Sequence, residues 1–184
     1  VLGADGIEWF NFYCTDPGRK PGLISDYTAL RDIDQLDRLR GLPKHYSFSM
    51  SGHGLVHPPF EITPQLPAVL EKWWNRPFRL PMCAEPTDRD LELVIQIVLK
   101  VEDKAEVLPV AFNGCWPRVE HTVTDELLFP CGCLTHLTPE HQGLNFRFPV
   151  DLVRDGWNEI TIENGDEQPI TIVCIDLAIR PIGD

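Results

Sequence analysis

Four small groups of residues in this chain are of types that do chemistry. Cys131-Gly132-Cys133, with His136 and His141 downstream, collects soft metal donors in one stretch. A zinc site uses four ligands and wider pairs such as C-x₂-C, so a structural loop is the plainer reading and no metal is expected there. His53 and His57 lie four apart and would share a face of a helix, but the glycines and prolines of 51–59 deny one. Surface histidines are expected. Glu8 stands alone in an apolar stretch, without the second carboxylate that glycoside hydrolysis needs. Tryptophans form the fourth group: Trp73 and Trp74 precede Asn75 and Arg76, and Trp116 precedes Arg118 by two residues. Indole faces stack on the apolar faces of sugar rings, and the neighbouring amide and guanidinium groups can bond hydroxyls. Against this, large aromatics mostly fill cores and seams. Trp73, Trp74, Asn75, Arg76, Trp116 and Arg118 are the candidate ligand-binding residues. The sequence contains no Ser-centred nucleophile elbow, P-loop or dinucleotide fingerprint, so no catalytic residue is nominated and no cofactor is expected.

These residues must be positioned by strands. Leu91, Leu93, Ile95, Ile97, Leu99 and Val101 alternate with Glu92, Gln96 and Lys100, the pattern of a half-buried strand. A second strand is predicted over 107–112, followed by Asn113-Gly114, a hairpin signal because both residues accept positive φ. Leu144, Phe146, Phe148 and Val150 alternate next. Asp155-Gly156 turns into 157–163 with Ile160 and Ile162 inward. Asn164-Gly165 turns again into 171–180, with Val173, Ile175, Leu177 and Ile179 as the inward face. Several short strands separated by turn signals predict a mainly β fold, an antiparallel β-sandwich. Prolines crowd 43–86, so a crossover is expected there, with short edge strands near His45–Met50 and Phe78–Met82. Ahead of it, Ile7–Tyr13 reads as a strand covered on both faces. A helix should follow, capped by Ser25 or Asp26, with Leu30, Ile33, Leu36 and Leu39 at helical spacing and a stop at Gly41 and Pro43. The expected organisation is a β-loop-α segment over 1–42 and a sandwich over 43–184.

Length and charge bound the function. The chain has 184 residues, 43% of them apolar, enough for a core without staples. Its net charge of −12 repels phosphate backbones and anionic lipid, so neither nucleic acid nor a membrane surface is an expected partner. No run approaches the roughly 20 apolar residues of a membrane span. Six cysteines at wide spacing do not form a compact disulfide framework, and compartment stays undetermined. Val1-Leu2-Gly3-Ala4-Asp5-Gly6 has neither an initiator Met nor a basic leader region, so a mature, trimmed or proteolysed piece is expected.

Two stretches resemble known families. Val110–Gly114, then Phe146–Val150, then Leu152–Ile162 and a last apolar strand resemble the galactose-binding-like jelly rolls that accompany many glycoside hydrolases. The likeness spans roughly residues 88–182. Gly3–Phe12 looks like the last strand of a glycosidase-type TIM barrel, with a closing helix at Tyr27–Arg40. The resemblance implies a noncatalytic accessory sandwich of a glycoside-hydrolase-like protein, binding an oligosaccharide or buttressing the catalytic barrel. It also implies that the other barrel strands, and most catalytic carboxylates, lie outside this chain. The N-terminal segment would then dock on a missing barrel, on the sandwich or on a second copy. Two alternatives stand beside it: a protein-interaction or assembly module, and a metal-dependent enzyme built on the Cys/His loop.

Overall fold

The computed structural model describes residues 35–48, 65–117, 121–128 and 141–183. Helix α1 is short, Leu36–Leu39. Nine strands follow among the described residues: β1 Lys44–Ser47, β2 Ala68–Leu70, β3 Asn75–Met82, β4 Leu91–Leu99, β5 Val110–Phe112, β6 Thr122–Thr124, β7 Gly143–Pro149, β8 Gly156–Glu163 and β9 Ile170–Pro181. They form two antiparallel sheets. The larger runs β1-β9-β4-β7-β6, with β2 also paired to β9, and the smaller runs β3-β8-β5. This is a β-sandwich, as the alternation predicts.

One core joins the sheets. Phe78, Phe112, Ile160 and Ile162 of the smaller sheet meet Leu93, Ile95, Leu144 and Leu177 of the larger, all fully buried. Phe112 and Phe148 face each other across the core with ring centroids 5.9 Å apart. Both predicted edge strands form, and each lies at the edge of its sheet. In β3, Pro77 and Pro81 alternate outward with Arg79 while Phe78, Leu80 and Met82 point in. An edge strand tolerates them because it has one side without ladder partners. Gln65 covers part of that side: its Nε2 donates to the Arg79 carbonyl and its Oε1 accepts from the Arg79 N–H, both at 3.0 Å.

Two expectations change at β4 and β9. All nine residues of β4 are buried, not only the alternate ones. The strand is central, between β7 and β9, and its outward polar groups are tied down. Gln96 bonds Asn145 at 2.9 Å, the Glu126 carbonyl at 2.8 Å and the Leu128 N–H at 3.1 Å. Glu92 accepts two hydrogen bonds from Arg147, at 2.6 and 2.8 Å, and a third from Arg180 at 3.1 Å. In β9 the inward set is Ile170 and Ile172, then Ile175, Leu177 and Ile179. Val173 is only half-buried, because the ladder passes from Val98–Cys174 to Leu99–Ile172 and leaves it as the extra residue of a bulge.

Residues 35–42 are anchored to the sandwich. Arg40 pairs with Asp155 at 3.0 Å, the Gly41 N–H donates to Glu85, and Arg89 donates to the Gly41 carbonyl at 3.1 Å. Lys44 closes the cluster on Glu85 at 2.8 Å. The expected strand Ile7–Tyr13, its Glu8, and most of the expected helix lie outside the described residues.

Candidate functional site

The smaller sheet carries an open cleft of about 900 Å³ on its outer face. Its floor follows from strand register. Pro81 on β3 opposes Trp157 on β8, and Arg79 opposes Glu159. Residues two apart on a strand share a face, so Trp157 and Glu159 stand side by side, away from the core residues Asn158 and Ile160. Arg79 and Glu159 pair at 2.7 Å. Trp157 is 66% exposed, although tryptophan is among the costliest residues to leave in water.

The hairpin Asn113-Gly114 and the loop before β8 complete the lining, with Arg154 and Gln65. Asn113 and Gly114 both take positive φ, 50° and 80°, which the two-residue turn requires. Asn113 donates to Asn158 and to the Leu152 carbonyl, both at 2.8 Å, and accepts from the Glu159 N–H at 3.0 Å. Asn158, 1% exposed, accepts from the Arg154 N–H at 2.9 Å and donates to the carbonyls of Arg154 and Gly156. The two asparagines therefore hold the loop that presents Arg154 and Trp157. The Arg154 side chain is exposed and makes no hydrogen bond or ion pair among the described residues. Among the described residues two guanidinium groups thus line the cleft against one carboxylate, on a chain of net charge −12.

The nominated tryptophans are exposed but do not converge. Trp73 is 61% and Trp74 65% exposed, in the turn between β2 and β3. That turn is fixed by Asn164, whose carbonyl accepts from the Trp73 N–H at 2.9 Å and whose N–H donates to the Trp74 carbonyl at 3.0 Å. Trp73 sits at φ 63°, a left-handed conformation strained for a bulky side chain. One face of its ring is occupied by Lys72, 5.6 Å from the centroid. Asn75 and Arg76 begin β3, opposite Glu163 and Ile162, and Arg76 leans on the Phe78 ring. From Asn75 to Pro81 the strand advances roughly 20 Å, so this turn and Trp157 occupy opposite ends of the smaller sheet. Trp116 is exposed beyond the hairpin, and Arg118 lies outside the described residues.

Trp157 is the residue that sequence reasoning passed over. It stands inside an alternating strand, where an outward position between Gly156 and Asn158 could have marked it. Of the Cys/His loop, Cys131, Cys133 and His136 lie outside the described residues, as do His53 and His57. Among the described residues no group of His, Cys, Asp and Glu is arranged to hold a metal ion, and Cys83, Cys115 and Cys174 form no disulfide. No helix among them is long and apolar enough to cross a membrane.

No protein-family model and no curated protein matches the chain. Among solved structures it is similar to a β-porphyranase of glycoside hydrolase family 86 from the human gut bacterium Bacteroides plebeius, at 12% identity and a TM-score of 0.44. The match covers 76% of this chain and 20% of that one. At that degree of likeness the two-sheet fold still rests on the strand pairing itself.

Proposed function

We propose that this chain is a noncatalytic accessory sandwich of a glycoside-hydrolase-like protein, and that it binds carbohydrate in the Trp157 cleft. The observation that carries the reading is the exposed indole of Trp157, on the outer face of a sheet beside hydrogen-bonding groups that the fold already orients. A sugar ring offers an apolar face to the indole and hydroxyls to the rim. The family context comes from the sequence resemblance of residues 88–182. Among the described lining residues Glu159 is the single carboxylate, and it is paired with Arg79. Glycoside hydrolysis takes two carboxylates, so binding fits this cleft better than cleavage. Open sites of this kind bind on the order of micromolar to millimolar.

Titration with a panel of oligosaccharides, followed by tryptophan fluorescence, tests the reading. Trp157→Ala should weaken binding at least about tenfold, the factor that 1.4 kcal/mol produces. Trp73→Ala and Trp74→Ala should leave it intact. An unresponsive panel removes carbohydrate binding and leaves a module that buttresses its barrel.

A second reading has its own observation. The strained turn at Trp73 exposes two adjacent indoles next to Val107, itself 52% exposed, since Trp74 and Val107 bond the consecutive residues Asn164 and Gly165. Such an apolar end suits a protein contact. Sedimentation velocity of the wild type and of Trp73→Ser/Trp74→Ser measures it: an assembly module loses concentration-dependent association in the double variant.

A further inference from the structure

The charge of the Trp157 cleft differs in sign from the net charge of the chain. The chain carries −12 in 184 residues, and an acidic surface repels acidic ligands. In the cleft the sign reverses. Glu159 is neutralised at 2.7 Å by Arg79. The nearby Asp155 is occupied by Arg40 at 3.0 Å and by the Ala84 N–H at 2.8 Å. Arg154 is left over. Its backbone is fixed at both ends by Asn158, while its guanidinium is exposed and makes no bond among the described residues.

A guanidinium with a fixed root and a free fork is a group waiting for paired acceptors. Carboxylate and sulfate oxygens accept from that fork in parallel, a paired arrangement that adds both energy and geometric specificity. A neutral hydroxyl gains little from it. We infer that the cleft selects saccharides bearing an anionic substituent, a uronate carboxylate or a sulfate ester, with Trp157 under the ring and Arg154 on the charge. The inference rests on the carbohydrate reading above and adds the ligand class. Arg79 gives its Nε–H to Glu159, and its charge is offset by that carboxylate at 2.7 Å. Arg154 is therefore the specificity-determining residue, and Trp157 serves every ring alike.

The test uses three probe sets of equal length, oligogalactosides, oligogalacturonates and sulfated oligogalactosides, titrated calorimetrically into the wild type, Arg154→Gln, Arg154→Lys and Trp157→Ala. The wild type should bind one acidic set about tenfold tighter than the neutral set, with the gap narrowing in high salt. Whichever acidic set is preferred distinguishes carboxylate from sulfate. Arg154→Gln should abolish the gap, bringing the acidic set down to the affinity of the neutral set. Arg154→Lys, a point charge without the fork, should keep part of the gap. Trp157→Ala should weaken all sets together. Equal wild-type affinities for neutral and acidic sets, or a gap that survives Arg154→Gln, overturns the anionic selectivity while carbohydrate binding stands. No binding of any set overturns both. The Arg154 side chain bonds none of the described residues, so circular dichroism should show both of its variants folded.

Discussion

Asp176 is the residue whose placement is hardest to reconcile with stability alone. It is 1% exposed, on the outer face of β9 between Ser47 of β1 and Gln96 of β4, and neither carboxyl oxygen has a hydrogen-bond partner of good geometry. Burial pushes its pKa above the ordinary value of 3.8, and Ser47, Cys174 and the charge of His45 pull it only part of the way back. A carboxyl with a raised folded pKa holds its proton more tightly folded than unfolded. Its cost is complete above the folded pKa and disappears as pH falls toward 3.8. Asp176→Asn should therefore raise stability at pH 7 by about 1–3 kcal/mol, with the advantage over wild type shrinking on acidification. Urea unfolding of both proteins at pH 7 and at pH near 4 measures this, and an Asn variant less stable at pH 7 would refute it. His45, beside it, acts the other way. Burial lowers its pKa from 6.5, so its contribution to stability is lost as pH falls below that value.

At the scale of elements, the two asparagines of the hairpin and of β8 matter more than their polarity suggests. Asn113 on the β5 hairpin and Asn158 on β8 join three chain segments through side-chain bonds of 2.8–3.0 Å. Asn158→Ala would strand the N–H and carbonyl of Arg154 and one donor of Asn113. The expected cost is about 2–3 kcal/mol, read as a shift in urea midpoint. Because the same bonds aim the loop, the cleft should suffer too: at saturating folded protein, Asn158→Ala should bind oligosaccharide more weakly than wild type. A variant as stable as wild type would show that the node is incidental. The bulge at Val173 works at this scale as well. It lets one long strand face Ile172 and then Ile175 to the core, while β2 and β1 pair in turn along its length.

For the molecule as a whole, stability comes from the single core between the sheets, and the exposed tryptophans are outside it. Phe112→Ala removes a fully buried ring that packs against Phe148 from the opposite sheet. It should cost about 3–5 kcal/mol. Trp157→Ala, at a surface position, should stay within about 0.5 kcal/mol. The contrast is the check on every binding experiment proposed above: thermal melts should separate the two variants, and a Trp157→Ala protein that melts like Phe112→Ala would mean the indole is structural.

Sequence alone determined the class and most of the strands. Alternation at Leu93–Ile97, Phe146–Phe148 and Ile160–Ile162 is a local consequence of the pleat, so it survives into the fold residue for residue. Asn113-Gly114 marked its turn for the same reason, since φ preference belongs to the residue itself. Tertiary structure decided what pattern cannot carry. Whether the polar side of β4 meets water depends on which strands flank it and on the segment that covers Gln96. The bulge at Val173 is set by pairing with Val98 and Leu99, not by its own side chain. Trp73 and Trp74 attracted attention as a pair, yet register puts them some 20 Å from the cleft. Trp157 joins Arg79, Glu159, Asn113 and Arg154 only because β3, β8 and the β5 hairpin are neighbours, and that adjacency spans about eighty residues of chain that no local signal connects.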